Sequence, residues 1–112
     1  MDIKVTEHVV RIAVVSPQGR VDAYSTPALR QQFEQLLDAG VTRYVIDLSD
    51  VPFMDSAGMA ALVSLLKRAR QAGGDVKLVW PEQEGAQRIL RLTKFDRVFG
   101  MAETADAALE FC

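Results

Sequence analysis

Histidine and cysteine are almost absent from this sequence, at one residue each, His8 and Cys112. A lone thiol cannot close an intramolecular disulfide, and without a Cys/His cluster there is no ligand set for a structural zinc. A histidine-based catalytic triad would have only His8 to use. Long apolar runs are lacking too: nothing approaches the roughly 18 residues of a membrane-spanning helix. Met1-Asp2-Ile3-Lys4 has none of the charged-then-apolar pattern of a signal peptide. Nor is there an excess of charge, since 13 basic and 15 acidic residues are interspersed and leave a net charge of −2. That is no footprint for nucleic acid or an anionic membrane, and no acidic run marks a disordered tail. The expectation is a cytoplasmic, reduced protein without cofactor or metal, with a monomer as the default state.

What is present is an ordinary globular mixture, 49% hydrophobic and 25% charged over 112 residues. It suits one domain, 1–112, with a single core. Val9 to Val15 is β-branched and ends at the turn-rich Ser16-Pro17-Gln18-Gly19, which predicts a strand; a shorter one over Ile3 to Thr6 would complete an N-terminal hairpin. Thr26 is the expected cap of a first helix, with Pro27 in its first turn, a stripe of Leu29, Phe33, Leu36 and Leu37, and a stop at Gly40. Tyr44 to Leu48 reads as a strand covered on both faces. A second helix opens at Asp55-Ser56-Ala57-Gly58, with Met59, Leu62, Val63, Leu66 and Ala69 as its apolar face and Gly73-Gly74 as its end. Val76 to Trp80 predicts a strand and Glu84 to Lys94 a third helix. Val98-Phe99 predicts a brief last strand, and Thr104 caps a final short helix. Alternating strands and helices argue for an α/β domain: a mixed, mostly parallel central sheet of four to five strands, about four helices, and an antiparallel hairpin at one edge.

Two loops at strand ends carry most of the polar residues of interest: Gly19 to Thr26, and Asp47 to Gly58. In the second, Ser56 falls at a helix N-terminus, where backbone N–H groups are expected to be unsatisfied and the dipole favours a phosphate. Ala57 and Gly58 are small enough to admit a partner's loop or nucleotide. Phe53 and Met54 would either tuck inward or contribute to a docking patch. On physical grounds alone, Asp or Ser ahead of an apolar stripe is first of all a cap. Gly58 points further, because inside the first turn it costs about 1 kcal/mol against alanine without capping anything.

The stretch from Val45 to Met59, VIDLSDVPFMDSAGM, resembles the signature of the STAS family, whose best-known members are bacterial anti-sigma factor antagonists. Gly19-Arg20-Val21-Asp22 is similar to that family's Gly-x-x-Asp turn, and Gly73-Gly74 to its break after the second helix. The likeness runs from about Ile3 to Leu109. Ala57, Met59 and Ala60 depart from frequent family residues without removing the acceptor hydroxyl. The resemblance implies that Ser56 is a phosphorylated serine, with Asp55 beside it and Asp22 in the adjacent loop. Ser25, Met54, Ala57, Gly58 and Met59 complete the surroundings that meet a partner. It implies a GHKL-type serine kinase that doubles as an anti-sigma factor, bound by the unphosphorylated form, and a PP2C-type phosphatase that resets the cycle. The protein itself would not be an enzyme.

Two other readings stand beside this one. A STAS subunit that never uses Ser56 would dock on a transporter ATPase or a signalling complex. An enzyme with Ser56 as nucleophile would need a base, and no lysine or histidine lies near it in sequence. A receiver-like magnesium site built from Asp47, Asp50 and Asp55 lacks an acidic pair after the first long strand. Asp47 is expected at a helix end and Asp50 in a turn, Trp80 and Phe33 in the core, and Arg88, Arg91 and Lys94 on a solvated helix face. Ala61 and Leu65 lie off the expected stripe and are either a docking surface or buried under a neighbouring helix.

Overall fold

The computed structural model of the chain describes residues 1–7 and 11–110. His8, Cys112 and the Val9 start of the first long strand lie outside them. The elements are β1 (Asp2–Glu7), β2 (Ile12–Gln18), α1 (Thr26–Asp38), β3 (Arg43–Asp47), α2 (Ser56–Gln71), β4 (Asp75–Val79), α3 (Glu84–Leu92), α4 (Phe95–Val98), β5 (Gly100–Ala102) and α5 (Ala105–Leu109). The five strands form one sheet in the order of the sequence, antiparallel between β1 and β2 and parallel from β2 to β5. This is the expected mixed α/β sheet with its edge hairpin.

Strand alternation divides the core. Ala13, Val15, Tyr44, Ile46, Val76 and Leu78 face one way and pack with Leu29, Phe33 and Leu36 of α1, Leu62 and Leu65 of α2, and Leu90 of α3. Ile12, Val14, Val45 and Val79 face the other way, against Ala108 of α5. Right-handed crossovers that always step in the same direction put their helices on one face, which is why α1, α2 and α3 share a cluster. Because the strand order never reverses, the sheet has none of the switch-point crevice that holds cofactors in doubly wound folds.

Several local expectations change. The cap position of α1 is Ser25, not Thr26; Thr26 is buried in the first turn and its hydroxyl donates to the Asp22 carbonyl at 2.6 Å. The buried stripe of α2 is Gly58, Ala61, Leu62, Leu65, Leu66 and Ala69, while Val63 is exposed. Ala61 and Leu65 turn toward α1, where they line a groove with Phe33 and Leu37, so the packing partner rotates the stripe. The brief strand expected at Val98-Phe99 is displaced to Gly100–Ala102, because Lys94 takes a left-handed φ of 66° and a helical turn restarts at Phe95. Phe99 is thereby buried, with its ring 5.3 Å from that of Phe95. Phe33 is core, and Trp80 packs half-buried against the same cluster.

Candidate functional site

The site is built from two loops that leave neighbouring parallel strands: loop 1 between β2 and α1, and loop 2 between β3 and α2. Loop 1 begins at Gly19, whose φ of +104° is a left-handed turn that a side chain would strain. Loop 2 is held down by Leu48, Val51 and Met54, all buried, at about 1.5–3 kcal/mol for each fully buried side chain. Asp47 accepts the Ser49 amide at 3.0 Å and so shapes the strand exit. Asp50 lies in the turn that follows.

The loops are stitched together. The Gly19 amide donates to the Asp50 carbonyl (3.2 Å), the Val21 amide to the Phe53 carbonyl (3.0 Å) and the Asp55 amide to the Val21 carbonyl (3.2 Å). Val21 and Met54 thus form a parallel bridge beyond the sheet. The fourth bond comes from a side chain: Asp55 Oδ2 accepts the Ala23 amide at 2.9 Å. Its Oδ1 accepts the Ala57 and Gly58 amides at 2.9 and 3.1 Å and caps α2. One carboxylate therefore both starts the helix and ties loop 1 to it.

Ser56 stands at the first position of α2, exposed, and its hydroxyl has no hydrogen bond among the described residues. The expectation of unsatisfied amides around it gives way for the three residues that follow. Asp55 already occupies the Ala57 and Gly58 amides, and the Met59 amide bonds the Asp55 carbonyl. Ser56 is exposed and directly follows the Asp55 whose carboxylate holds the Ala57 and Gly58 amides.

Gly58 also has a different role from the one its size suggested. It is buried, and a Cβ there would stand 2.6 Å from both the Val21 carbonyl oxygen and Val21 Cγ1. Glycine at this position admits loop 1. Met54 likewise forms the floor of the site, while Met59 and Ala57 are half-buried. Phe53 lies half-buried under the Arg20 guanidinium, 4.4 Å from its ring centre.

Asp22 is brought into the adjacent loop, but its carboxylate serves that loop. Oδ1 accepts the Tyr24 and Ser25 amides (3.1 and 3.0 Å) and the Ser25 hydroxyl (3.2 Å), and Oδ2 meets Arg20 Nε at 3.5 Å. The Ser25 amide is the largest influence; with the Ser25 hydroxyl, Arg20 and the Tyr24 amide it outweighs the opposing desolvation and holds the carboxyl below its ordinary value. Ser25 locks the turn by accepting the Asp22 amide and donating to the Arg20 carbonyl at 2.7 Å. Sequence reasoning missed Val21 and Ala23 as parts of the site. A single valine inside the polar run Gly19 to Thr26 was the available signal for the first; a backbone amide leaves none for the second. Tyr24, also unsingled, is 96% exposed.

The arrangement is a rigid two-loop platform presenting a free serine hydroxyl, and the groove between α1 and α2 lies elsewhere, lined without Ser56 or Asp55. The STAS domain family matches residues 2–108. The anti-sigma-B factor antagonist of Bacillus subtilis is 30% identical over 106 residues, which cover 95% of this chain and 87% of that one. An anti-sigma factor antagonist from Mycobacterium paratuberculosis, solved by crystallography, superposes with a TM-score of 0.85 at 29% identity, covering 97% of this chain and 91% of that one. A STAS domain protein of Planctomyces limnophilus, also an anti-sigma-factor antagonist, superposes with a TM-score of 0.82 at 25% identity over 97% and 96% of the two chains. With the family match spanning residues 2–108 and the antagonist relatives in agreement, this chain belongs to the STAS domain family.

Proposed function

We propose that this protein is an anti-sigma factor antagonist whose platform binds a GHKL-type serine kinase acting as the anti-sigma factor, and that phosphorylation of Ser56 ends the binding. The observation that carries the reading is the free, exposed Ser56 hydroxyl beside a carboxylate whose amide partners are already taken. The family match and the antagonist relatives support the coarser half, an anti-sigma factor as partner. A phosphoserine brings about −1.5 to −2 charges. Next to Asp55, with no free amides from residues 57–59 to receive it, that charge stays at the surface. Facing a docked partner it costs several kcal/mol by like-charge juxtaposition and desolvation, where 1.4 kcal/mol is already about tenfold in affinity. The device is local blocking of a binding face, with no rearrangement of the fold. A PP2C-type phosphatase would restore the unphosphorylated, kinase-binding form. The protein acts in the cytoplasm on this reading, and as a binding module, not an enzyme.

The test is incubation of wild type and Ser56→Ala with each GHKL kinase of the same genome and Mg-ATP, read by intact mass. One added phosphate on the wild type and none on the variant is the expected result. Binding to a kinase or a transporter ATPase without any phosphorylation would replace the switch with a scaffold role. Amide spectra of Ser56→Asp that differ from wild type only near residues 53–59 and 21–25 are expected; widespread shifts would refute local blocking.

A further inference from the structure

Apolar side chains exposed singly are common on protein surfaces and by themselves indicate nothing. Tyr24 is set apart by its degree of exposure and its position. At 96% it is the most exposed of the large apolar side chains among the described residues; Leu92 follows at 70%. The other aromatic of the two-loop platform, Phe53, is covered by Arg20, and the nearby Met54 is buried. Tyr24 is the bare ring of the platform.

Its backbone is fixed while its side chain is free. The Tyr24 amide donates to Asp22 Oδ1 at 3.1 Å, and the preceding amide, Ala23, donates to Asp55 Oδ2 at 2.9 Å. The ring is therefore carried one residue away from a bond to the carboxylate that caps α2 next to Ser56. Tyrosine offers a large amphipathic contact with only two side-chain torsions to order, and it is enriched among the residues that dominate binding energy. A preorganised turn further lowers the ordering cost.

We infer that Tyr24 is the docking anchor for the partner that acts on Ser56: its ring inserts into an apolar recess of the serine kinase and sets affinity, while Ser56 receives the phosphate. The inference rests on the proposed kinase partnership, and it adds a specificity residue outside the phosphorylated turn. It also assigns the two loops separate tasks, loop 1 for holding and loop 2 for reacting, kept in register by Asp55.

The experiment measures binding and phosphorylation separately, using full-length wild type, Tyr24→Ala and Tyr24→Phe with each GHKL kinase of the same genome. Since Tyr24 is 96% exposed, both variants are expected to unfold at the wild-type urea midpoint. For Tyr24→Ala the expected result is a dissociation constant and a KM for phosphorylation raised about tenfold or more, with kcat within about threefold. Tyr24→Phe keeps the ring and should stay within about threefold of wild type in all three. A KM and dissociation constant for Tyr24→Ala within twofold of wild type, with Ser56 still phosphorylated, would overturn the anchor and leave the switch standing. A wild type that binds a kinase without being phosphorylated would overturn the switch, and the dissociation constants alone would then decide the anchor. A wild type that binds none of the kinases overturns both.

Discussion

Gly58→Ala is a substitution for which helix propensity and tertiary contact predict opposite signs. Propensity alone favours alanine in a helix by up to about 1 kcal/mol. The structure opposes it, because the added Cβ would lie 2.6 Å from the Val21 carbonyl oxygen, a backbone atom that no rotamer change can move. Carbon and carbonyl oxygen approach to about 3.3 Å at closest, so loop 1 and the first turn of α2 must separate by roughly 0.7 Å. The Asp55 amide bond to that same carbonyl, 3.2 Å long, would then stretch to about 3.9 Å and be lost. Overpacking of this kind costs about 1–3 kcal/mol and a lost hydrogen bond about 1 kcal/mol more. After the propensity gain, the net destabilisation is about 2 kcal/mol, or a fall in Tm of roughly 8–12 °C for a domain of this size. Urea unfolding followed by circular dichroism measures it, with Gly85→Ala as internal control. Gly85 also lies in the first turn of a helix, α3, and a Cβ there meets nothing within 4 Å. It should be neutral or stabilised by up to about 1 kcal/mol. A Gly58→Ala protein as stable as the Gly85→Ala control would refute the close approach of the two loops.

Three further outcomes follow from the same geometry. Asp55→Ala removes the cap of α2 and the tie to Ala23 together, so it should cost about 2 kcal/mol, above the roughly 1 kcal/mol of an ordinary cap, and should speed hydrogen exchange of the Ala23, Ala57 and Gly58 amides. Asp22 is held below its ordinary value of 3.8, so its contribution to stability is full above that pH and fades as pH falls through its lower folded value. Asp22→Asn should therefore flatten the acid limb of a stability–pH curve, and an unchanged limb would count against the Ser25 and Tyr24 bonds. Tyr44 is fully buried with its hydroxyl donating to the Val41 carbonyl at 2.7 Å, and burial pushes its pKa up to about 12. The neutral phenol's contribution is complete below about 10 and is lost as pH rises through the folded value. Tyr44→Phe should cost about 1–3 kcal/mol at neutral pH by orphaning the carbonyl, and the loss should shrink in alkali.

Much of this was legible because the deciding signals are local. The β-branched run before Ser16-Pro17 located β2, although the strand runs on through Ser16, Pro17 and Gln18, which pair with β1 where a turn is expected; Asp55 ahead of an apolar stripe gave the start of α2. What escaped depends on neighbours distant in sequence. The face α2 buries is chosen by α1, so Val63 is exposed against expectation, and of the two environments open to Leu65 the structure takes burial under the neighbouring helix. Phe99 reads as strand because nothing in its own segment reveals that Lys94 turns left-handed and lets a helical turn restart. At the site, Asp55, Ser56 and Asp22 were identified, but the reason for Gly58 was not. The atom it accommodates belongs to Val21, a residue far upstream whose carbonyl leaves no mark in the composition. The amides of Ala57, Gly58 and Met59 are taken by Asp55, the residue just before Ser56, a competition that spacing alone does not reveal.

The stitch between the two loops has a consequence for how this surface can vary. Surface loops ordinarily accept insertions and deletions freely. Here each loop is in register with the other through Gly19–Asp50, Val21–Phe53, Val21–Asp55 and Ala23–Asp55. A residue added to either would shift every later partner by one and pull Asp55 off the helix it starts. Relatives that address different partners from this platform are therefore expected to differ by exchange of outward side chains at fixed loop length, as letters change in a word whose spacing is set.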